Sequence, residues 1–183
     1  MKLISTAIKG LFIAETDLIS DYRGTFSRLF CERDLADAIG SRKIVQVNRS
    51  LTFSSGTARG MHYQNPPHLE MKLVRCTQGR ILDIAIDIRA GSTTFLQWHA
   101  EELSPENSRM SIIPEGFAHG FQALEDDSEL LYLHTNFYKP GSEGAILYSD
   151  PRLAISWPLP VINLTDRDQT HPLLPHDYYG IEV

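Results

Sequence analysis

The chain has 183 residues, of which 42% are hydrophobic and 22% are charged, and its formal net charge is −6 at pH 7. This length suits one well-buried core, since domains cluster at roughly 100 to 150 residues, and we expect a single domain over residues 1–183. The modest negative charge and the scattered basic residues disfavour nucleic acid or a membrane surface as the main partner.

The N-terminus, MKLISTAIKGLF, lacks the long apolar core of a signal peptide. No apolar run approaches the roughly 20 residues of a membrane span. We therefore expect a cytoplasmic protein. The two cysteines, Cys31 and Cys76, lie far apart and have no Cys-x-x-Cys partner. This spacing predicts neither a disulfide framework nor a thiolate metal site.

Turn-forming residues recur along the chain and divide it into short runs. They occur at 21–24, 54–56, 65–67, 78–79, 90–92, 114–116 and 139–141. Runs rich in Ile, Val, Leu, Phe and Tyr between such turns predict an all-β sandwich or barrel. We expect an early strand at Leu11 to Glu15. Helix is a minority component, and its best candidate is Glu32 to Ile39, where Gly40 can end it.

The clearest strand runs from Ile81 to Arg89. Alternation places Ile84 and the other large apolar residues of this run on one face, with Asp83 on the opposite face. We expect this strand to form a hairpin with Lys72 to Thr77 through the turn Gln78-Gly79.

Strand alternation also groups the polar candidates, because side chains two apart share a face. The resulting sets are Gln46 with Asn48, His62 with Gln64, and Tyr132 with His134 and Tyr138. Their alternating neighbours are mostly apolar. This pattern predicts a barrel with one polar-lined cavity.

Two histidines follow glycines in short aromatic-rich stretches. One stretch is Arg59-Gly60-Met61-His62-Tyr63-Gln64, and the other runs from Ile112 to Phe121 and contains His119. We expect both imidazoles to converge at the mouth of the barrel. A lone strand histidine is more often structural than catalytic. However, Asp168 near the C-terminus can hydrogen-bond His62, fix its tautomer and leave the other nitrogen as a general base.

Other residues offer an acid and positive charge. Tyr132 can donate a proton opposite the base, although a phenol among apolar neighbours is more often a core residue. Lys72 and Arg59 can polarise an oxyanion or hold phosphate. Further cations that suit an anionic ligand are Arg23, Arg28 and Arg167. Each of these alone is more often a surface residue.

Eight short segments carry a specific pattern. They are 21–26 (DYRGTF), 46–50 (QVNRS), 59–64 (RGMHYQ), 72–75 (KLVR), 86–89 (IDIR), 114–121 (PEGFAHGF), 136–138 (NFY) and 150–151 (DP). In this order they resemble the dTDP-4-dehydrorhamnose 3,5-epimerase family, from about residue 5 to about residue 170. The resemblance implies a cupin-type double-stranded β-helix, or jelly roll, with a few short helices. It also implies a homodimer, a nucleotide-linked 4-keto-6-deoxyhexose as substrate, and no metal or redox cofactor.

The resemblance implies roles for individual residues. His62 resembles the proton acceptor, Asp168 its orienting partner, Tyr132 the proton donor and Lys72 the residue that stabilises the enolate oxygen. Positions that correspond to substrate contacts are Arg23, Gln46, Asn48, Arg59, Tyr138 and Glu143, and the substrate-binding set also includes Arg28, His119 and Arg167. The residue types suit the chemistry, because the hydrogens on C3 and C5 are acidic only beside the C4 ketone.

Two departures from the family pattern leave alternatives open. Many members carry an acidic residue where this chain has Arg28, and the segment Pro67 to Met71 occurs in only part of the family. The nucleotide can therefore be dTDP or CDP, and inversion can occur at C3, at C5 or at both. In the implied dimer, we expect residues 1 to about 30 to join the sheet of a second subunit, because the strand Leu11 to Glu15 has little core of its own.

Two other classes of protein remain as alternatives. In a metal-dependent cupin, the ligands would come from His62, His68, Glu70 and His119. The first two lie six residues apart, whereas the usual first motif has a single residue between its histidines. In a silent sugar-binding module, the nucleotide sugar would bind without exchange of its C3 and C5 hydrogens.

Overall fold

Strands dominate the computed structural model, which describes residues 1–183. In chain order the strands are β1 Lys2–Ser5, β2 Phe12–Glu15, β3 Ile19–Asp21, β4 Gly24–Phe26, β5 Gln46–Thr52, β6 Ala58–Gln64, β7 Lys72–Gln78, β8 Ile81–Asp87, β9 Trp98–Leu103, β10 Arg109–Ile113, β11 Phe117–Ala123, β12 Ser128–His134 and β13 Glu143–Ala145. The helices are α1 Ala36–Ile39 and α2 Asp166–Gln169. The all-β prediction is confirmed.

Two antiparallel sheets face each other. The six-stranded sheet has the order β1-β2-β10-β7-β12-β5, and the five-stranded sheet has the order β13-β6-β11-β8-β9. Val74 and Leu130 of the six-stranded sheet share one buried cluster with Ala85 and Phe121 of the five-stranded sheet. The core therefore lies between the sheets, and the predicted jelly roll is confirmed.

The outer faces of both sheets are covered as well. Leu35 and Ile39 pack on the six-stranded sheet, while Ile146 and Leu153 pack against the outer side of β8. The helix predicted from Glu32 is shorter than expected, since α1 begins at Ala36. Its N-cap position, Leu35, has no capping side chain and is anchored instead by burial, so only one turn forms.

The predicted hairpin between 72–77 and 81–89 is wrong. β7 pairs with β10 and β12 of the six-stranded sheet, whereas β8 pairs with β9 and β11 of the five-stranded sheet. Gly79, with φ +70°, turns the chain from one sheet into the other, and a Cβ there would lie 2.6 Å from the Ser128 hydroxyl. The turn residues were recognisable, but a turn alone does not say whether the next strand stays in its sheet.

Both faces of β8 are buried, and the apolar face is the outer one. Ile84 and Ile86 pack under the C-terminal segment, while Ala85 points into the core between the sheets. The alternation predicted for this strand is therefore present, although the strand ends at Asp87 rather than Arg89. Asp83 shares the inward face and is 2% exposed.

The N-terminal strands belong to the chain's own six-stranded sheet. β2 pairs with β1 and β10, and Leu11, Ile13 and Ala14 are buried. The expectation that 11–15 lacks a core of its own is therefore wrong. Only the hairpin β3–β4 joins neither large sheet, and all of its residues are exposed. Neither helix has the length or the apolar run that a bilayer crossing requires.

Candidate active site

One end of the sandwich opens into a cavity of about 480 Å³ between the two sheets. The six-stranded sheet contributes Asn48, Lys72, Tyr132 and His134, and the five-stranded sheet contributes Arg59, His62 and His119. Thr165, Arg167 and Asp168 close one side from the C-terminal segment. The predicted polar cavity is present, and all four residues predicted to be catalytic line it.

Close contact between two glycines brings the histidines together. Gly60 has φ +115°, and a Cβ at this position would lie 2.5 Å from the Cα of Gly120. β6 and β11 can therefore approach closely, with a register irregularity between His119 and Phe121. His119 is the cross-strand partner of His62. The predicted convergence of the two imidazoles is confirmed.

The His62 ring is held by Asp168. Nε2 of His62 lies 2.7 Å from Oδ1 of Asp168, and the carboxylate side chain is 5% exposed. Thr165 caps α2 by accepting a hydrogen bond from the Asp168 backbone N–H, which fixes where the carboxylate sits. An Nε2–H donated to this carboxylate leaves Nδ1 of His62 with a free lone pair.

The charge state of His62 follows from its surroundings. Burial lowers the pKa of His62 below its ordinary 6.5, the contact with Asp168 opposes this shift, and the charges of Lys72 and Arg167 add to it. The imidazole is therefore neutral at pH 7. A neutral ring with one free nitrogen is the form that a general base requires.

A second histidine–carboxylate pair is more deeply buried, and only its histidine lines the cavity. Nε2 of His119 is 2.6 Å from Oδ1 of Asp83, and both side chains are almost fully buried. Sequence reasoning missed Asp83. Alternation places Asp83 and Ala85 on one face of β8, but the approach of Asp83 to His119 depends on the pairing of Ala85 with His119, which only the structure shows.

Tyr132 faces the histidines from the other sheet. Its ring meets the ring of His119 edge-on, with centroids 6.1 Å apart, and lies nearly parallel to that of His134. Burial raises the pKa of Tyr132 far above its ordinary value. The phenol therefore keeps its proton at neutral pH, as a proton donor must.

Several residues predicted to contact the substrate lie at the rim of the cavity and are hydrogen-bonded to one another. The Tyr138 backbone N–H donates to the Gln46 side chain over 3.2 Å, and the Tyr138 hydroxyl donates to Glu143. Glu143 in turn lies 3.6 Å from the guanidinium of Arg167, which lines the cavity. Gln46, Tyr138 and Glu143 therefore form an entrance wall and are not part of the cavity lining.

Two predicted substrate contacts lie away from this cavity in their own chain. Arg23, on the hairpin β3–β4, is paired with Asp21, and its side chain is 74% exposed. Arg28 lies 3.3 Å from Asp34. Neither arginine lines the cavity of its own chain, because the segment that carries them joins neither large sheet.

The ligand set of the metal-cupin alternative does not assemble. Glu70 is engaged by His134 and Lys72, and His119 by Asp83. The group of side chains whose donor atoms do meet, within 4.8 Å, consists of His62, Asp168 and His171. Sequence reasoning missed His171, which has no family motif around it.

Most of the sequence is similar to that of known proteins. A model of the dTDP-4-dehydrorhamnose 3,5-epimerase family matches residues 5–176. The chain belongs to this family. Its members are isomerases, so this chain is an enzyme of the isomerase class and its fold is that of a cupin-type jelly roll.

Individual relatives match over most of their length. The dTDP-4-dehydrorhamnose 3,5-epimerase of Shigella flexneri is 42% identical over 169 residues, which are 92% of this chain and 93% of the relative. A crystal structure of the dTDP-6-deoxy-D-glucose-3,5-epimerase of Legionella pneumophila in complex with dTDP-4-keto-L-rhamnose has a TM-score of 0.86 and 41% identity, covering 91% of this chain and 89% of that one. A 3'-monoepimerase from Streptomyces bikiniensis in complex with dTDP-quinovose has a TM-score of 0.85 and 32% identity, covering 92% and 85%.

Proposed function

We propose that this enzyme inverts C3 and C5 of dTDP-4-dehydro-6-deoxyglucose and so forms dTDP-4-dehydrorhamnose, without a metal or redox cofactor. The observation that carries the proposal is the arrangement across the cavity. The His62–Asp168 pair lies on one side, and Tyr132 and Lys72 lie on the opposite sheet. A base and an acid on opposite sides of one carbon are what inversion requires.

The reaction proceeds by two proton transfers at each carbon. Nδ1 of His62 removes the hydrogen beside the C4 ketone, while Asp168 stabilises the imidazolium that forms. The ammonium of Lys72 stabilises the negative charge that develops on O4. Tyr132 then delivers a proton to the opposite face of the carbon. Before the next carbon is inverted, the His62 imidazolium releases its proton to solvent and the Tyr132 phenolate takes one up from solvent.

The remaining polar residues bind the substrate. Arg59 and Arg167 supply positive charge at the cavity for the pyrophosphate, and Asn48 and His119 supply hydrogen bonds to the sugar. Gln46, Tyr138 and Glu143 contact the nucleotide sugar at the entrance. Six of these seven residues lie on strands or within α2, which supports a pre-formed site.

Inversion at C3 alone is the second candidate. It is favoured by the likeness to the Streptomyces bikiniensis 3'-monoepimerase, since the same fold serves a one-centre enzyme. The nucleotide is the other variable, and dTDP is favoured over CDP because the relatives above act on or bind dTDP sugars.

One experiment separates these possibilities. The protein is mixed with dTDP- or CDP-linked 4-keto-6-deoxyglucose in deuterated water, and label at C3 and C5 is followed by NMR. We expect deuterium at both carbons of the dTDP sugar and formation of the rhamno product. Label at C3 only would establish the one-centre reaction, and binding without label would establish a silent sugar-binding module.

A homodimer completes the proposal. The hairpin β3–β4 exposes Ile19 by 64% and Phe26 by 67%, and the edge strand β5 exposes Val47 by 57%. Apolar surface of this kind fits a second copy of the chain. In such a dimer, Arg23 and Arg28 contact the substrate in the cavity of the second copy. A sedimentation experiment at micromolar concentration is expected to give a dimer, and a monomer would contradict it.

The domain organisation remains a prediction from the sequence. We treat residues 1–183 as one domain, because both sheets share one core and the C-terminal segment supplies Asp168 to the cavity. The cytoplasmic location also remains a prediction. Fractionation of cells that express the tagged chain tests this.

A further inference from the structure

A buried carboxylate stands behind the wall of the cavity and reaches two of its residues. Oε2 of Glu70 lies 2.8 Å from Nδ1 of His134, and Oε1 of Glu70 lies 3.4 Å from Nζ of Lys72. The side chains of Glu70, His134 and Lys72 are 8%, 10% and 13% exposed. Lys72 and His134 line the cavity, whereas Glu70 does not.

The contact continues from His134 to Asn48. Nε2 of His134 lies 3.2 Å from Nδ2 of Asn48 on the neighbouring strand β5. The two ring nitrogens are arranged so that Nδ1–H donates to Glu70 while Nε2 accepts from the Asn48 amide. The orientation of the Asn48 amide, and hence which of its atoms faces the sugar, depends on this chain of contacts.

We propose that Glu70 is a positioning residue of the reaction: one of its oxygens holds the ammonium of Lys72, and the other holds the amide of Asn48 through His134. This inference rests on the proposed function for the roles of Lys72 and Asn48. It adds a residue that never touches substrate and acts on two different steps, enolate stabilisation through Lys72 and sugar binding through Asn48.

The charges support this arrangement. Burial alone would raise the pKa of Glu70, but the hydrogen bond with His134 and the charge of Lys72 outweigh it and lower the pKa below its ordinary value. Glu70 is therefore ionised and gives the partly buried Lys72 a counter-charge. Loss of this charge leaves the Lys72 ammonium in a desolvated wall with only the His62 carbonyl oxygen, 3.4 Å away, as a partner, which favours other rotamers of Lys72.

Two variants separate the two branches. Glu70→Gln keeps the shape and an oxygen that accepts from His134, but removes the charge beside Lys72. We expect kcat for exchange to fall about tenfold, the effect of losing one charge-assisted contact, with a smaller change in KM. His134→Asn keeps an N–H near Glu70 but has no atom at the position of Nε2. We expect it to raise KM about tenfold with little change in kcat.

Double mutants distinguish positioning from a purely structural role. In the Lys72→Met background, Glu70→Gln should have little further effect on kcat, and in the Asn48→Ala background, His134→Asn should have little further effect on KM, because a residue that acts through another loses its effect with it. The matched control is Glu102→Gln, an exposed carboxylate 3.7 Å from Arg80. It should leave both constants within about twofold. Additive losses, or losses that follow a lowered unfolding temperature, would overturn the proposal.

A measurement on the protein without substrate tests this inference independently of the proposed function. ¹⁵N NMR of His134 in the wild-type protein at neutral pH is expected to show the proton on Nδ1. A proton on Nε2 would contradict the chain of contacts whatever the enzyme catalyses. If the wild-type protein exchanges no label into either sugar, the proposed function fails. The measured tautomer of His134 still tests whether His134 donates to Glu70.

Discussion

Two histidine–carboxylate pairs beside the cavity have the same chemistry and different surroundings. His62 and Asp168 lie 2.7 Å apart, and the His62 side chain is 39% exposed. His119 and Asp83 lie 2.6 Å apart, with side chains that are 6% and 1% exposed. Substrate can therefore reach the free nitrogen of His62 directly, whereas the His119 pair is enclosed by β8 and β11 except where the His119 ring borders the cavity.

The carboxylates also come from different parts of the fold. Asp83 lies within a central strand of the five-stranded sheet, and Asp168 lies on the single-turn helix α2 outside the sheets. The comparison teaches that a His–Asp pair is not by itself a catalytic dyad. The accessible His62–Asp168 pair supplies the base. The enclosed His119–Asp83 pair forms part of the cavity wall beside it.

The largest effect is expected for His62→Asn. Without the imidazole, exchange at both carbons should fall by at least ~10², while nucleotide binding stays largely intact, because this ring moves protons and does not hold phosphate. Solvent-deuterium exchange and titration with dTDP measure the two properties. His99→Asn, outside the cavity beside Glu101, is the matched control. Near-normal turnover of the His62 variant would remove this residue from the mechanism.

Tyr132→Phe is expected to separate deprotonation from inversion. The ring packing is kept and the hydroxyl is lost, so the enolate still forms but is reprotonated mainly from the side of His62. Inversion should fall by about 10², and exchange should fall much less. The ratio of label incorporation to product formation measures this. Equal losses of both would assign Tyr132 to packing or to enolate stabilisation.

Asp168→Asn is expected to slow the same step as His62→Asn, but less. The amide cannot stabilise the imidazolium and no longer selects the tautomer with Nδ1 free. We expect exchange to fall by roughly tenfold or more with the fold intact, as judged by circular dichroism and unfolding temperature. An unchanged exchange rate would show that Asp168 does not orient the base.

Asp83→Asn is expected to reduce stability more than activity, the reverse of Asp168→Asn. The buried charge-assisted contact with His119 weakens, so the free energy of unfolding should fall by about 1 to 3 kcal/mol. The exchange rate should fall less than in Asp168→Asn, because no atom of this pair takes the substrate proton. Urea unfolding gives the first quantity. A loss of exchange as large as that of Asp168→Asn, without loss of stability, would make the two pairs equivalent.

The sequence predicted most of the accessible pair and little of the enclosed one. Glycines before both histidines, and the motifs around them, indicated where the imidazoles meet. Asp83 was missed because its strand was interpreted by its apolar face, which turned out to be the outer face of the sheet. Glu70 was considered only as a metal ligand, since its contact with His134 spans 64 residues of sequence and depends on the pairing of β12 with β7.

Errors in the predicted fold have the same origin. Local turn chemistry gave the position of Gly79 but not the change of sheet there. The exposed hairpin β3–β4 places Arg23 away from its own cavity. Which sheet a strand joins, and which molecule an exposed hairpin contacts, are decided by contacts distant in sequence, which strand alternation and turn residues do not contain.

The central claim is that His62 is a neutral base whose Nε2 is bound to Asp168 and whose Nδ1 is free. The ¹⁵N chemical shifts of the His62 ring, followed through a pH titration, test it most directly. We predict a proton on Nε2 at pH 7 and a midpoint below 6.5, because burial lowers the pKa of His62. The acid limb of kcat/KM should lie at that same midpoint, with activity lost as the pH falls through it. A proton on Nδ1, or a midpoint above 6.5, would contradict the account.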